Sequence, residues 1–207
     1  MASEEAARIV DLYQRKASDW IESRSRTGSL EKPWFERPWL DRFRALLPPA
    51  GPILDLGCGS AEPMAAYLIG LGHPVTGVDS APAMIDACRM RFPEQEWIVG
   101  DMRTLALKRT FSGILGWDGF FHLCQEDQRL MFPLFAAHAA PGAALLFTSG
   151  PAHGEAIGEF AGEPLYHASL AADEYRVLLD RNGFGVVSHV VEDPDCGGHT
   201  IWLAQRM

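Results

Sequence analysis

The sequence predicts an α/β protein built on a doubly wound sheet of seven strands, mostly parallel with an antiparallel strand at the carboxyl end, and preceded by helices at the amino end. Three observations carry this. From Pro52 onward, short β-rich runs alternate with helical patterns. The first run passes straight into a glycine turn and then a helix. The last two runs are joined by a Pro194/Gly197/Gly198 turn without a helix, which makes that pair antiparallel.

At the amino end, Ser3 can cap a helix whose first turn carries Glu4 and Glu5. Ile9, Leu12, Tyr13, Ala17, Trp20 and Ile21 recur at helical spacing and predict one amphipathic helix from residue 4 into the twenties. After a mixed stretch with Gly28, Pro33 and Pro38, Trp39, Leu40, Phe43, Leu46 and Leu47 predict a short second helix stopped by Pro48 and Pro49. Residues 1–48 are thus expected to form a helical cap on an α/β core of 52–207, the whole a single domain of 207 residues with 47% hydrophobic content.

Within the core the expected strands are Ile53–Leu56, Val75–Val78, Trp97–Val99, Ile114–Trp117, Ala143–Thr148, Gly185–Val191 and Thr200–Ala204. Met64, Leu68 and Ile69 mark one intervening helix, and Met84, Ile85 and Cys88 a second. A third, over about 126–139, should be kinked by Pro133. After Thr148 the pattern breaks for about twenty residues, which predicts a long loop, before a helix bearing Tyr175, Leu178 and Leu179 that stops at Asn182-Gly183.

Composition narrows the function. Residues 1–50 hold nine Lys/Arg against eight Asp/Glu, leaving nine against nineteen for the rest of a chain of net charge −9. A phosphate-binding surface needs the opposite balance, so no nucleic-acid partner is expected, and a cationic or neutral small ligand is favoured. Glu4 and Glu5 stand where an export signal needs basic residues, and there is no long apolar run, so a cytoplasmic protein without membrane partner is expected. Cys58, Cys88, Cys124 and Cys196 show no Cys-x-x-Cys pair, so no metal site or disulfide framework is expected.

The chemistry-bearing segment is Ile53-Leu54-Asp55-Leu56-Gly57-Cys58-Gly59-Ser60-Ala61-Glu62-Pro63. Its glycines let backbone approach a ligand closely, and the following helix start offers unpaired N–H groups. A dinucleotide site would need a glycine where Glu62 stands, and the carboxylate would face a pyrophosphate. Two further runs end in carboxylates: Val75-Thr76-Gly77-Val78-Asp79, about twenty residues on, where Asp79 can accept both ribose hydroxyls, and Trp97-Ile98-Val99-Gly100-Asp101-Met102. Asp79 or Ser80 can equally cap the next helix.

Taken in order, these segments resemble the class I S-adenosylmethionine-dependent methyltransferases, whose first motif has an acidic residue two before the first glycine, matched by Asp55; the third motif glycine is replaced by Ala61. The resemblance implies S-adenosyl-L-methionine as cofactor, with Asp101 accepting the adenine amino group and Met102 offering a backbone N–H and an apolar face. Ile114 to Leu123 resembles the strand and loop that close over the sulfonium, where Trp117 would give cation–π attraction of about 1–2 kcal/mol. The implied cofactor set is Asp55, Gly57, Cys58, Gly59, Asp79, Ser80, Asp101, Met102 and Trp117, with Tyr13 and Trp20 from the amino-terminal helix.

No Asn-Pro-Pro-Tyr tetrapeptide follows the fourth strand, and Trp117-Asp118-Gly119-Phe120 fits members that act on small molecules. Methyl transfer by direct displacement needs a base only when the acceptor arrives protonated. No catalytic residue is fixed; the candidates are His122, Tyr13, His153, Tyr166 and His167. The amino-terminal helix and the loop from Gly150 to His167 are expected to cover an acceptor pocket in a monomer or homodimer. A non-catalytic binder of the same cofactor, an aminopropyltransferase and an oxidoreductase share the fold and stay open.

Overall fold

In the computed structural model the described residues are 4–25 and 34–207. Seven strands form one sheet in the order β3-β2-β1-β4-β5-β9-β8: β1 (Ile53–Leu56), β2 (Val75–Asp79), β3 (Glu96–Val99), β4 (Phe111–Gly116), β5 (Ala139–Ser149), β8 (Phe184–Asp193) and β9 (His199–Arg206). β1 to β5 run parallel, whereas β9 pairs antiparallel with both β5 and β8. This is the predicted doubly wound architecture, with strands extended by a few residues at their ends.

Both sheet faces are buried, which is why β1 reads as a continuous apolar run broken only by Asp55. Ile53 faces α3 (Arg37–Ala45), α4 (Met64–Gly70) and α5 (Pro82–Arg91) through Phe43, Leu68 and Ile85, all completely buried. Leu54 points to the other face, against α6 (Gln125–His138) and α7 (Ala172–Arg181). There Phe120, Phe132, Phe135, Phe147, Tyr175 and Trp202 pack ring against ring, with Phe147 and Trp202 stacked at 5.9 Å and 4°. On the first face Gly77 permits close packing beside the turn, since a Cβ there would lie 2.3 Å from the Trp97 ring and 2.9 Å from the Cys58 sulfur.

Two expectations are corrected. The amino-terminal helix is two helices, α1 (Glu4–Arg15) and α2 (Ala17–Ser25), separated by a turn at Lys16. The break lets Tyr13 and Trp20 meet edge to face at 5.3 Å instead of following one straight axis. The second correction concerns residues 150–167. They are not a long loop but most of a hairpin, β6 (Gly154–Phe160) and β7 (Glu163–Ser169), forming a sheet of its own. Its two-residue turn, Ala161 at φ 51° and Gly162 at φ 80°, is the primed type that matches strand twist. Tyr166 and Ala168 of β7 are buried with Ile9 of α1, and Arg15 grips Glu163 with two bonds of 2.7 and 2.8 Å. The hairpin is therefore held by the cap helix, which supplies the apolar surface that a two-stranded ribbon lacks alone.

Smaller differences follow the caps and turns. The second helix spans Arg37–Ala45 with Pro38 in its first turn, so that proline begins the helix instead of lying before it. α6 continues through Pro133. The Ser3 cap and the turn residues Gly28 and Pro33 lie outside the described residues. No helix among the described residues is long and apolar enough to cross a membrane.

Candidate active site

The carboxyl ends of β1, β2, β3 and β4 open onto one cavity of about 270 Å³, lined by Gly57, Gly59, Asp79, Ser80, Asp101, Met102 and Trp117 from the core and by Tyr13 and Trp20 from the cap. Every one of these was named in the sequence as a cofactor contact. An open α/β sheet leaves its ligand crevice at this edge because parallel strands all end there, and helix starts gather around it.

The glycine turn is built around Asp79. Gly57 and Gly59 take φ of 75° and 51°, which L side chains rarely adopt, and the Gly59 N–H donates to one Asp79 carboxylate oxygen at 2.9 Å. The other oxygen accepts the Ala81 N–H at the start of α5, also at 2.9 Å. The helix-capping and ligand-facing readings of Asp79 thus coexist in one side chain. Burial raises its pKa, while the bonds from Ala81 and Gly59 pull the other way. Gly119 brings the fourth loop against the turn: a Cβ there would lie 3.3 Å from the Gly57 Cα. Ser80 donates to the Gly100 carbonyl at 3.1 Å, tying the β2 and β3 tips together.

Asp101 is more occupied than the sequence suggested. Its carboxylate caps the short helix Met102–Thr104 through the Arg103 N–H and takes the Arg103 guanidinium at 2.6 Å, which holds its pKa below the usual carboxylate range. Arg103 also bonds Asp127 of α6 at 2.7 Å. Met102 reaches under the turn, its terminal carbon 3.3 Å from where a Gly57 Cβ would be.

A smaller adjoining cavity holds Asp55, Cys58, Arg24, Trp20 and Trp117. Asp55 is only 4% exposed and accepts no hydrogen bond from the described residues; burial, then the nearby Asp79 charge, pushes its carboxyl up to about 7. Arg24 faces the same space while paired with Glu36 at 2.8 Å. The Trp117 indole N–H is buried without a partner among the described residues. A buried carboxyl without a donor and a buried donor without an acceptor mark a surface shaped for a polar ligand. Cys58 is buried, and burial raises its thiol well above the ordinary value, so it contributes shape and backbone, not a thiolate.

Of the catalytic candidates, His122 and Tyr13 line the main cavity and meet: the Tyr13 hydroxyl lies 3.0 Å from His122 Nε2. His122 Nδ1 lies 2.8 Å from the Tyr166 carbonyl on β7. Burial drives the imidazole down to about 4. Burial, and then the charges of Asp118 and Asp79, raise the Tyr13 hydroxyl pKa. The Tyr166 side chain is instead bonded to Glu155 at 2.8 Å, and His167 packs 5.1 Å from His122 behind the cavity wall. His153 is exposed and lies off the wall. These three candidates do not line the cavity.

Residues that went unnamed as site candidates include Asp118 and His199. Asp118, at φ 52°, lines both cavities and lies 3.0 Å from His199 Nε2 on β9. Burial alone would lower the His199 pKa, but the Asp118 carboxylate and the Cys196 carbonyl, 2.6 Å from Nδ1, outweigh it and push the imidazole up to about 11. Asp118 answers in kind: burial would raise it, and His199 holds it below the ordinary range. His199 also lies 5.4 Å from the Trp117 ring. Asp118 stood in plain view inside Trp117-Asp118-Gly119; His199 carried no local signal.

Residues 53–142 match a family model described as a methyltransferase domain. A curated relative, the trans-aconitate 2-methyltransferase of Rhizobium meliloti (strain 1021), is 42% identical over 55 residues, covering 26% of this chain and 21% of that protein. Among solved structures, SAM-bound CalS10, an amino pentose methyltransferase from Micromonospora echinaspora, superposes with a TM-score of 0.67 at 22% identity, over 85% of this chain and 92% of its own. Magnesium protoporphyrin IX methyltransferase from Synechocystis PCC 6803 with bound SAM gives 0.71 at 16% identity, over 100% and 99%. A TehB-like SAM-dependent methyltransferase from Corynebacterium glutamicum gives 0.70 at 19% identity, over 93% and 99%. With the strand order, the glycine turn and the acidic tips already in place, these matches identify the architecture: residues 53–142 are similar to a methyltransferase domain, and the chain shares the fold of the solved methyltransferases.

Proposed function

We propose that this chain is an S-adenosylmethionine-dependent methyltransferase whose acceptor is a small molecule. The observation that carries the reading is the convergence of the glycine turn, Asp79 and Asp101-Met102 on a single cavity, three strand tips in the order the cofactor's parts require. When bound, the cofactor supplies an electrophilic methyl group on a sulfonium. Asp79 would take the ribose hydroxyls, Met102 and Asp101 the adenine, and Trp117 an indole face near the sulfonium. The smaller cavity suits the amino-acid end: Asp55 for the ammonium, Arg24 for the carboxylate. An ammonium beside Asp55 would restore the charge that burial suppresses, so this unpartnered carboxyl fits a cationic ligand better than a pyrophosphate.

The cavity wall also carries Asp118 and Asp127, a field that favours a cationic sulfonium and disfavours an anionic acceptor. The similarity to methyltransferases of an amino pentose, a porphyrin and trans-aconitate supports a small-molecule acceptor without selecting one. The test is calorimetry with S-adenosylmethionine, S-adenosylhomocysteine, NAD and decarboxylated S-adenosylmethionine, backed by thermal shift, where a ligand at a hundred times its Kd adds about 2.7 kcal/mol of stability. The first two should bind and the others should not. Preference for NAD points to an oxidoreductase and preference for the decarboxylated form to an aminopropyltransferase; either sinks the proposal. Binding without turnover on any acceptor leaves the non-catalytic reading.

A further inference from the structure

We propose that Tyr13 and His122 form a proton relay that receives the hydroxyl proton of an oxygen nucleophile, so that the acceptor is an uncharged, hydroxyl-bearing small molecule. The inference rests on the methyltransferase reading above.

Hydrogen-bond chemistry fixes the direction of the relay. The Tyr166 carbonyl, 2.8 Å from Nδ1, can only accept, so Nδ1 carries the imidazole proton. In the neutral ring Nε2 is then bare, and at 3.0 Å it accepts from the Tyr13 hydroxyl. The phenolic oxygen, its own proton committed to His122, keeps its lone pairs for a donor in the cavity that both side chains line. The hairpin is thereby part of the device, since β7 supplies the carbonyl that sets the tautomer. Phe160 at its tip stacks on Tyr13 at 5.8 Å and meets Trp20 edge-on at 5.7 Å, closing that side of the ring.

The direction of the relay selects the acceptor: the Tyr13 oxygen is left to accept, so its partner must carry a proton to give. Burial, assisted by His167, holds His122 at about 4 against the opposing pull of the Tyr166 carbonyl and Asp118. His122 is thus neutral and free to accept a proton. It can take the proton of a hydroxyl oxygen that is bonding a methyl group, because that oxygen turns strongly acidic as it gains positive charge. As the acceptor oxygen bonds the methyl carbon, the C–S electron pair stays on sulfur and the O–H bond breaks. The released proton passes to Tyr13, and the Tyr13 proton passes to His122 Nε2, leaving a neutral ether and an imidazolium. A carboxylate acceptor, which needs no base, would meet Asp79, Asp118 and Asp127 on the wall, with Arg103 already paired to Asp101 and Asp127.

The test joins histidine 15N NMR to turnover with labelled S-adenosylmethionine. At pH 7.5 His122 should show the Nδ1–H tautomer, and Tyr13→Phe should shift the Nε2 resonance while sparing Nδ1. Small alcohols and phenols, matched with amines and carboxylic acids, serve as acceptor probes, and the expected product is the O-methyl ether. His122→Gln keeps a donor for the carbonyl and an acceptor for the hydroxyl; it should bind S-adenosylhomocysteine within about twofold of wild type yet lose about a hundredfold in kcat, with KM little changed. An Nε2–H tautomer, an imidazolium at pH 7.5, an undiminished kcat in His122→Gln, or transfer confined to amines or carboxylic acids overturns the relay. Failure of the wild type to bind S-adenosylhomocysteine overturns the underlying reading instead.

Discussion

Asp55→Asn should make the free protein more stable, and bound S-adenosylhomocysteine should narrow that gain. In the folded chain the Asp55 carboxyl sits near 7 against an ordinary 3.8, a rise of about three pKa units caused first by burial and then by Asp79. At about 1.4 kcal/mol per unit this is about 4 kcal/mol. The sign follows from proton binding: between 3.8 and about 7 the unfolded chain has released a proton that the folded one retains, so the stability contribution falls as pH rises through that window and is level above it. The amide cannot ionise and escapes the loss. Thermal melts at pH 8 should therefore place Asp55→Asn about 10 °C above wild type, taking 2–4 °C per kcal/mol for a chain of this size, while at pH 4 the two should nearly coincide. Saturating S-adenosylhomocysteine should shrink the difference at pH 8, because wild type gains a charged bond to the ligand ammonium worth about 1.5–3 kcal/mol that the amide cannot match. An equal Tm difference at pH 4 and pH 8, or none at either, would refute the claim that ionising Asp55 is costly in the folded state.

The remaining predictions concern neighbouring supports. Asp79→Ala removes the acceptor for both Gly59 and Ala81 and, on the proposed function, a charged partner for the ribose; calorimetry should show S-adenosylhomocysteine bound about 10- to 100-fold more weakly, and unchanged affinity would leave Asp79 a capping residue alone. Asp118→Asn should return the His199 pKa from about 11 toward 6.5 by NMR titration. Because that pKa is raised in the folded state, the pair's stability is fully present below about 6.5 and lost as pH rises through 11, so the variant should be destabilised by about 2 kcal/mol at pH 6 and less at pH 10. Gly77→Ala should cost about 1–3 kcal/mol in chemical denaturation, since its Cβ would meet the Trp97 ring at 2.3 Å; a neutral result would mean that β2 and β3 shift apart freely.

What the sequence determined by itself is the part of the protein written in local periodicity. Buried strands read as short apolar runs, Gly57 and Gly59 stand where only a left-handed turn fits, and Asp79 and Asp101 end their strands, so the parallel sheet and its ligand edge follow from segments of ten residues or fewer. Tertiary structure alone decided the rest. The hairpin over 154–169 was hidden because β6 is largely exposed, Pro164 stands near the start of β7, and α1 covers its buried face. Tyr13 meets His122 across 109 positions, and Asp118 meets His199 across 81. Arg24 comes to face Asp55 only when the cap docks on the core. Such pairs leave no spacing rule in the chain, because distance along the sequence constrains contact only within a helix turn or a strand pair; beyond that, the packing of whole elements sets which side chains share a cavity.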